Sequence, residues 1–298
     1  MNKQSLFYTW KNYRCAYEFH EESSEEKVAL LLIHPIGVGL SCQFWHPFIK
    51  TWLKAEKKYP IYNPDLLGCG DSDLPVVAYF PRDWADQLNY FITNIIQNPV
   101  IIICQGGLFP IAIDLINNCS KPELIKGLIL ASPPTIKYIT EDKPYWQQKL
   151  SWNLFFDFPL IGSNFYKYAR RRQFLEDFSI RQLFANSKSV DETWLKTLEK
   201  GAENLKTRYA VYSFLAGFWR QDYRERMSKI KQKTLIVMGD QTSSVGKNKK
   251  RETPEERLNF YLNQITNSEG VIIPGRNVLP YESPLEFVSV SINFVNKI

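Results

Sequence analysis

Chemistry in this sequence is suggested first by Cys104-Gln105-Gly106-Gly107-Leu108, which follows the apolar run 100–103. A strand that meets adjacent glycines can turn sharply into a helix and hold up a residue at the turn. Cys104 is the candidate nucleophile there, since a thiolate attacks acyl carbon once something lowers its pKa. The plain alternative is a small buried thiol that closes the turn. A second loop, His34-Pro35-Ile36-Gly37-Val38-Gly39, follows the run 28–33. Its N–H groups are placed to face an anion, and His34 is a candidate base for Cys104.

Three further turns carry polar text. Asp65-Leu66-Leu67-Gly68-Cys69-Gly70-Asp71-Ser72 follows the run 59–63. Gly239-Asp240-Gln241-Thr242 offers Asp240 as its one carboxylate, either a catalytic acid or a partner for N–H groups of its own turn. Arg276-Asn277-Val278-Leu279-Pro280, with Tyr281 and Glu282 behind it, closes the set. The histidines are His20, His34 and His46, so no imidazole lies beyond residue 46.

Elements able to position these turns are legible as apolar runs at 28–33, 100–104, 128–131, 234–238 and 271–273, with a more polar run at 59–63. Helical segments fit between them at 44–55, 81–96, 107–117, 254–265 and 284–295, with Pro81, Pro254 and Pro284 as helix starts. Alternation of strand and helix predicts a mostly parallel sheet covered on both faces. Residues 7–19 alternate loosely and predict antiparallel strands at the start. From 135 to 226 the β-runs stop and aromatics recur at helical spacing. Trp194, Leu195, Leu198 and Ala202 form one stripe behind Ser189 and Glu192 at capping-box spacing, and Tyr209, Tyr212, Ala216 and Trp219 form another.

In this order the motifs resemble the α/β-hydrolase superfamily over nearly the whole chain, and the insertion resembles the helical cap of haloalkane dehalogenases, epoxide hydrolases and related esterases. The resemblance implies an α/β-hydrolase fold with its core in residues 1–134 and 227–298 and a cap in 135–226. The family elbow G-x-S-x-G puts the nucleophile at Cys104 and the N–H that follows it at Gln105. Gly106 and Gly107 take the small positions, and the loop around Ile36 and Gly37 completes the oxyanion hole. By the same resemblance the acid position is Thr242, with Asp240 two residues early, and the imidazole position is Val278 or Asn277. No member of the Ser-His-Asp set stands at its place, and loss of the general base alone costs roughly 100- to 10,000-fold in rate. Lyase or cofactor-free oxygenase relatives usually keep the histidine that is missing here.

Two functions follow. The first is a family member that binds a small apolar carbonyl or ester-like compound, or a partner, with little turnover. The second is a thiol-dependent hydrolase or acyltransferase acting on esters, thioesters or lactones through Cys104.

Composition narrows the field further. Apolar residues make up 44% and charged residues 23% of 298, which is ordinary globular usage and excludes disorder and coiled coil. A net charge of +6 is spread along the chain and predicts no nucleic-acid partner. The basic runs at 170–172 and 247–251 are expected as solvated faces. Five cysteines without a CxxC pair are expected as reduced thiols, with no metal site and no cofactor. Neither a transmembrane segment nor an export signal is expected, which predicts a cytoplasmic protein. The pattern leaves oligomeric state open.

Overall fold

The computed structural model describes residues 5–21, 28–55, 59–153, 158–243 and 252–298. Its strands are β1 (Leu6–Trp10), β2 (Tyr13–His20), β3 (Ala29–Ile33), β4 (Ile61–Pro64), β5 (Val100–Gln105), β6 (Ile125–Ala131), β7 (Lys233–Gly239) and β8 (Ser268–Ile273). They form one sheet in the order β1-β2-β4-β3-β5-β6-β7-β8. The β1–β2 hairpin turns on Lys11 and Asn12, both at positive φ, the geometry a two-residue turn needs to match strand twist. From β4 to β8 every pairing is parallel, so helices must make the crossovers and cover both faces.

Before β6 the helices are α1 (His46–Trp52), α2 (Pro81–Tyr90) and α3 (Phe109–Asn118). Between β6 and β7 every described element is helical: α4 (Ile136–Thr140), α5 (Tyr145–Ser151), α6 (Pro159–Ala169), α7 (Arg172–Phe178), α8 (Glu192–Gly201), α9 (Arg208–Ala216) and α10 (Arg224–Ser228), with short 3-10 and π turns among them. Then come α11 (Pro254–Gln264), α12 (Leu279–Glu282) and α13 (Pro284–Val295). Prolines 81, 254 and 284 stand in the first turns of α2, α11 and α13, where a missing N–H costs nothing.

Two differences from the sequence reading concern the inserted helices. Asp191, not Ser189, caps α8: its carboxylate accepts the Trp194 N–H at 2.7 Å. Trp219 lies off the α9 stripe, because Gly217 adopts a left-handed conformation (φ +82) and ends the helix at Ala216.

Alternation along the central strands divides the interior into two cores. Leu31, Ile33, Ile102, Cys104, Leu128, Leu130 and Met238 face one side, with Phe109 and Ile111 of α3. Leu30, Leu32, Ile101, Ile103, Ile129 and Val237 face the other, with Phe44, Phe48 and Trp52 and with Phe287 and Phe294 of α13. The inserted α8 joins this second core. Fully buried Trp194 packs its ring against Phe184 at 5.0 Å and Tyr281 at 4.6 Å, and its Nε1–H donates to Ser179 Oγ at 2.8 Å.

The basic run 170–172 lies at the surface of this insertion. Arg172 bridges Glu192 and Glu199, and Arg170 donates to the carbonyls of Ala202 and Glu203. The run 247–251 lies outside the described residues. No helix among the described residues is long and apolar enough to cross a membrane.

Trp194→Ala should cost about 3–5 kcal/mol, the usual range for emptying a large aromatic site. Urea titration checks this, and a loss below about 1 kcal/mol would contradict the packing.

Candidate functional site

Parallel pairing of Ile33 with Cys104 brings the loops after β3 and β5 to the same edge of the sheet. β5 runs one residue beyond Cys104, through Gln105, and the chain then turns at Gly106 with φ +58 before α3 begins. An added Cβ at Gly106 would meet only Ser132 O, at 3.8 Å, so the space over the turn is open to a side chain that the residue lacks. The turn residue is therefore Gly106, two positions past Cys104, which corrects the sequence reading of the elbow. Counted from this turn, Cys104 and Leu108 occupy the pattern's two glycine positions. A detectable signal was there: of these residues only glycine takes a left-handed backbone without strain.

Cys104 is instead a core residue. It is 1% exposed and pairs with Ile33 and Leu130 across the sheet. Burial pushes its thiol well above the ordinary range, which disfavours the thiolate. The expected Cys104–His34 dyad does not form among the described residues. His34 donates from Nδ1 to Pro35 O at 2.9 Å and accepts the Leu66 N–H at Nε2 at 3.0 Å, which fixes the neutral tautomer. Burial lowers its pKa to about 4.

Asp65 sits 3.9 Å from His34 Nε2. Burial raises its pKa to about 6, against the opposing effect of the Cys42 and Asp71 N–H groups that it accepts at 2.8 Å each. Both side chains hold the loops after β3 and β4 in place. Half-exposed His46 pairs with buried Glu18, which His20 and Asn63 also contact. Burial opposes ionisation of Glu18, but hydrogen bonds from the two imidazoles outweigh it and hold that carboxyl well below its usual range.

The turns after β7 and β8 are committed to structure. Asp240 accepts the Gly275 N–H at 3.0 Å, across to the neighbouring loop and not within its own turn. Thr242 Oγ1 accepts the Gly239 N–H and donates to Arg276 O, each at 2.9 Å. Asn277 donates from Nδ2 to Gln182 O at 2.7 Å and from its backbone to Leu183 O at 3.0 Å, and its own carbonyl accepts Gln105 Nε2. Val278 is buried in the second core. Arg276 reaches Arg181 O at 2.9 Å, while Glu282 accepts the N–H groups of Ala185, Asn186 and Arg276. The place expected to hold an imidazole, with Arg276 and Glu282 beside it, thus fastens residues 181–186 to the sheet edge, while Asp240 and Thr242 tie the turns after β7 and β8 to each other.

The loop after β3 meets the insertion as closely. An added Cβ at Gly39 would lie 1.9 Å from Leu198 O, and one at Gly201 would lie 2.2 Å from Gly39 O. Main chain packs on main chain there. Ile36 is buried, and the N–H groups of Ile36 and Gly37 donate to no described residue. Beside the elbow, Phe214 stacks on Trp219 at 4.9 Å, and an added Cβ at Gly107 would lie 2.7 Å from the Phe214 ring. The cavity left between them, Tyr79, Trp84 and Leu108 measures about 10 Å³, room for about one water. Phe214 and Trp219 take up most of the space beside the elbow. Among the described residues no three His, Cys, Asp or Glu side chains converge to hold a metal ion.

The alpha/beta hydrolase family profile matches residues 30–290. The chain belongs to this family. Its structure is similar to that of a thermophilic esterase from Thermogutta terrifontis with malate bound (TM-score 0.71, 16% identity, 99% of each chain covered). It is also similar to CarC, a serine hydrolase involved in carbazole degradation (TM-score 0.74, 17% identity, 99% of each chain). The epoxide hydrolase CorEH is a third (TM-score 0.71, 15% identity, 99% of each chain). At these identities the likeness speaks for the fold alone. No curated protein sequence matches the chain.

In this α/β-hydrolase, Glu282→Ala should free the Ala185, Asn186 and Arg276 amides, whose charge-assisted bonds are worth roughly 1.5–3 kcal/mol each. Hydrogen exchange at those amides should accelerate at least about tenfold; unchanged exchange would contradict the fastening.

Linkage gives a second test. With its folded pKa lowered, His34 contributes stability that is complete above about pH 6.5 and is lost as pH falls toward about 4. Raised Asp65 acts in the opposite sense, adding stability as pH falls from about 6 to about 4. His34→Gln should therefore lose less stability than the wild type between about pH 6.5 and about pH 5 in urea titrations. An equal or larger loss would contradict the assignment.

Proposed function

We propose that this chain is an α/β-hydrolase-family protein without triad chemistry, which acts by binding, with little or no turnover. The observation that carries the reading is the bare apex of the elbow: Gly106 holds the turn and offers no nucleophilic atom. Supporting it, Thr242 and Asn277 spend their polar atoms on backbone partners, and Val278 is buried. His34, the one histidine near the elbow, has both ring nitrogens engaged. Electrostatic stabilisation by the loop N–H groups of Ile36 and Gly37 would remain, but among the described residues no side chain stands ready to move a proton.

The inserted helices act as a closed cap in this proposal. A small apolar carbonyl or ester-like ligand reaches the elbow only when Phe214 and Trp219 swing aside. The free N–H groups would then receive its oxygen and the aromatic pair its apolar part. Otherwise the protein works through its outer surface on a partner.

The second reading, a thiol-dependent hydrolase or acyltransferase, draws its support from Cys104 alone and needs a thiolate where burial opposes one. Ester hydrolysis by the purified protein should stay within about tenfold of buffer, and Cys104→Ala should not change it. Iodoacetamide should label half-buried Cys119 before Cys104. Robust turnover abolished by Cys104→Ala, with substrate protecting that thiol, would replace the proposal by the thiol enzyme.

A further inference from the structure

The outer surface of the inserted helices carries an apolar face that no element among the described residues covers. On α6, Ile161, Phe165 and Tyr168 stand at spacings of four and three, in a row beside the one formed by buried Gly162, Tyr166 and Ala169. Each of the three is about half exposed, where a solvated helix would carry polar groups. Ring contacts continue the face from Tyr168 to Phe174 at 5.3 Å and on to exposed Phe178. On α5, Trp146 and Leu150 repeat the spacing, and Trp146 is 65% exposed. Both helices border α9. Phe165 packs on Tyr212, Trp152 just past α5 packs on Tyr209, and Leu215 of α9 is itself exposed. A run of exposed aromatic and aliphatic side chains of this kind marks an interaction surface.

Charge decides the occupant. Between residues 143 and 175 the sequence holds six Lys or Arg against one acidic residue. Among the described residues Lys149, Lys167 and Arg171 make no ion pair, and Arg171 stands over the Tyr168 ring at 5.7 Å. A two-fold dimer through this face would bring Lys149, Lys167 and Arg171 of one copy up to a face that carries the same unpaired cations. Aromatic and aliphatic side chains interleaved with unpaired cations instead match a bilayer surface, where rings enter the headgroup layer and cations meet anionic phosphates. We propose that α5 and α6 form a docking face for anionic lipid membranes. The inference stands apart from the loss of triad chemistry and survives if that reading fails.

The test is sedimentation of the full-length protein with phosphatidylcholine vesicles, with and without phosphatidylglycerol. Wild type should sediment with the anionic vesicles, less at high salt, and stay in solution with the neutral ones. Trp146→Ser/Phe165→Ser, both at exposed sites, should keep the wild-type circular dichroism and lose binding at least about tenfold. Lys149→Gln/Lys167→Gln/Arg171→Gln should lose roughly a hundredfold, at about fivefold per cation. Failure of the wild type to bind anionic vesicles would overturn the proposal, as would binding that both variants retain. A concentration-dependent dimer dissolved by the serine variant would also overturn it, in favour of a second copy on this face.

Discussion

One carboxylate, that of Glu282, accepts backbone N–H groups from two parts of the chain: Arg276 in its own loop, and Ala185 and Asn186 from the insertion. Backbone donors at a segment end must find an acceptor, and a carboxyl side chain at the end of α12 supplies it. Once that bond set exists, Asn277 and Arg276 lie against residues 181–183 and add three more bonds to main-chain carbonyls. The loop after β8 is thereby turned outward to hold the insertion. On the other side of the elbow Gly39 and Gly201 bring main chain to main chain, an approach any side chain would block.

Closure explains why the elbow is shielded. With the insertion held at both flanks, Phe214 and Trp219 rest over Gly107, and the glycine turn is left only partly exposed. On the proposed reading, an elbow without a nucleophile needs no substrate access, and the same loops are free to serve stability. His34 and Asp65 illustrate this. Each is buried and hydrogen-bonded to backbone, so their titration bears on folding and not on chemistry.

Much of the fold was legible from local pattern. The apolar runs, the prolines at helix starts and the loose alternation of 7–19 correspond to β3, β5 to β8, α2, α11, α13 and the β1–β2 hairpin, because each depends on residues near in sequence. The Trp194 stripe was visible too, although its cap was misassigned: Asp191 and Ser189 are both good acceptors, and only the chain's path selects between them. At the elbow the error was one of register. Strand pairing of Gln105 with Ala131 extends β5 past Cys104 and moves the turn to Gly106, a consequence of the neighbouring strand that β5 alone does not encode. The bonds of Asn277, Arg276 and Glu282 were out of reach for the same reason, since their partners lie about a hundred residues away.

The account rests on an elbow without a reactive side chain beneath a closed insertion. Intact-mass and peptide mapping after exposure to an acylating or phosphonylating probe, such as a fluorophosphonate, tests this most directly. The account predicts no adduct on residues 34–37, 104–108, 240–242 or 276–278. A stoichiometric adduct at any of them, formed by the folded protein and lost on unfolding, would contradict it.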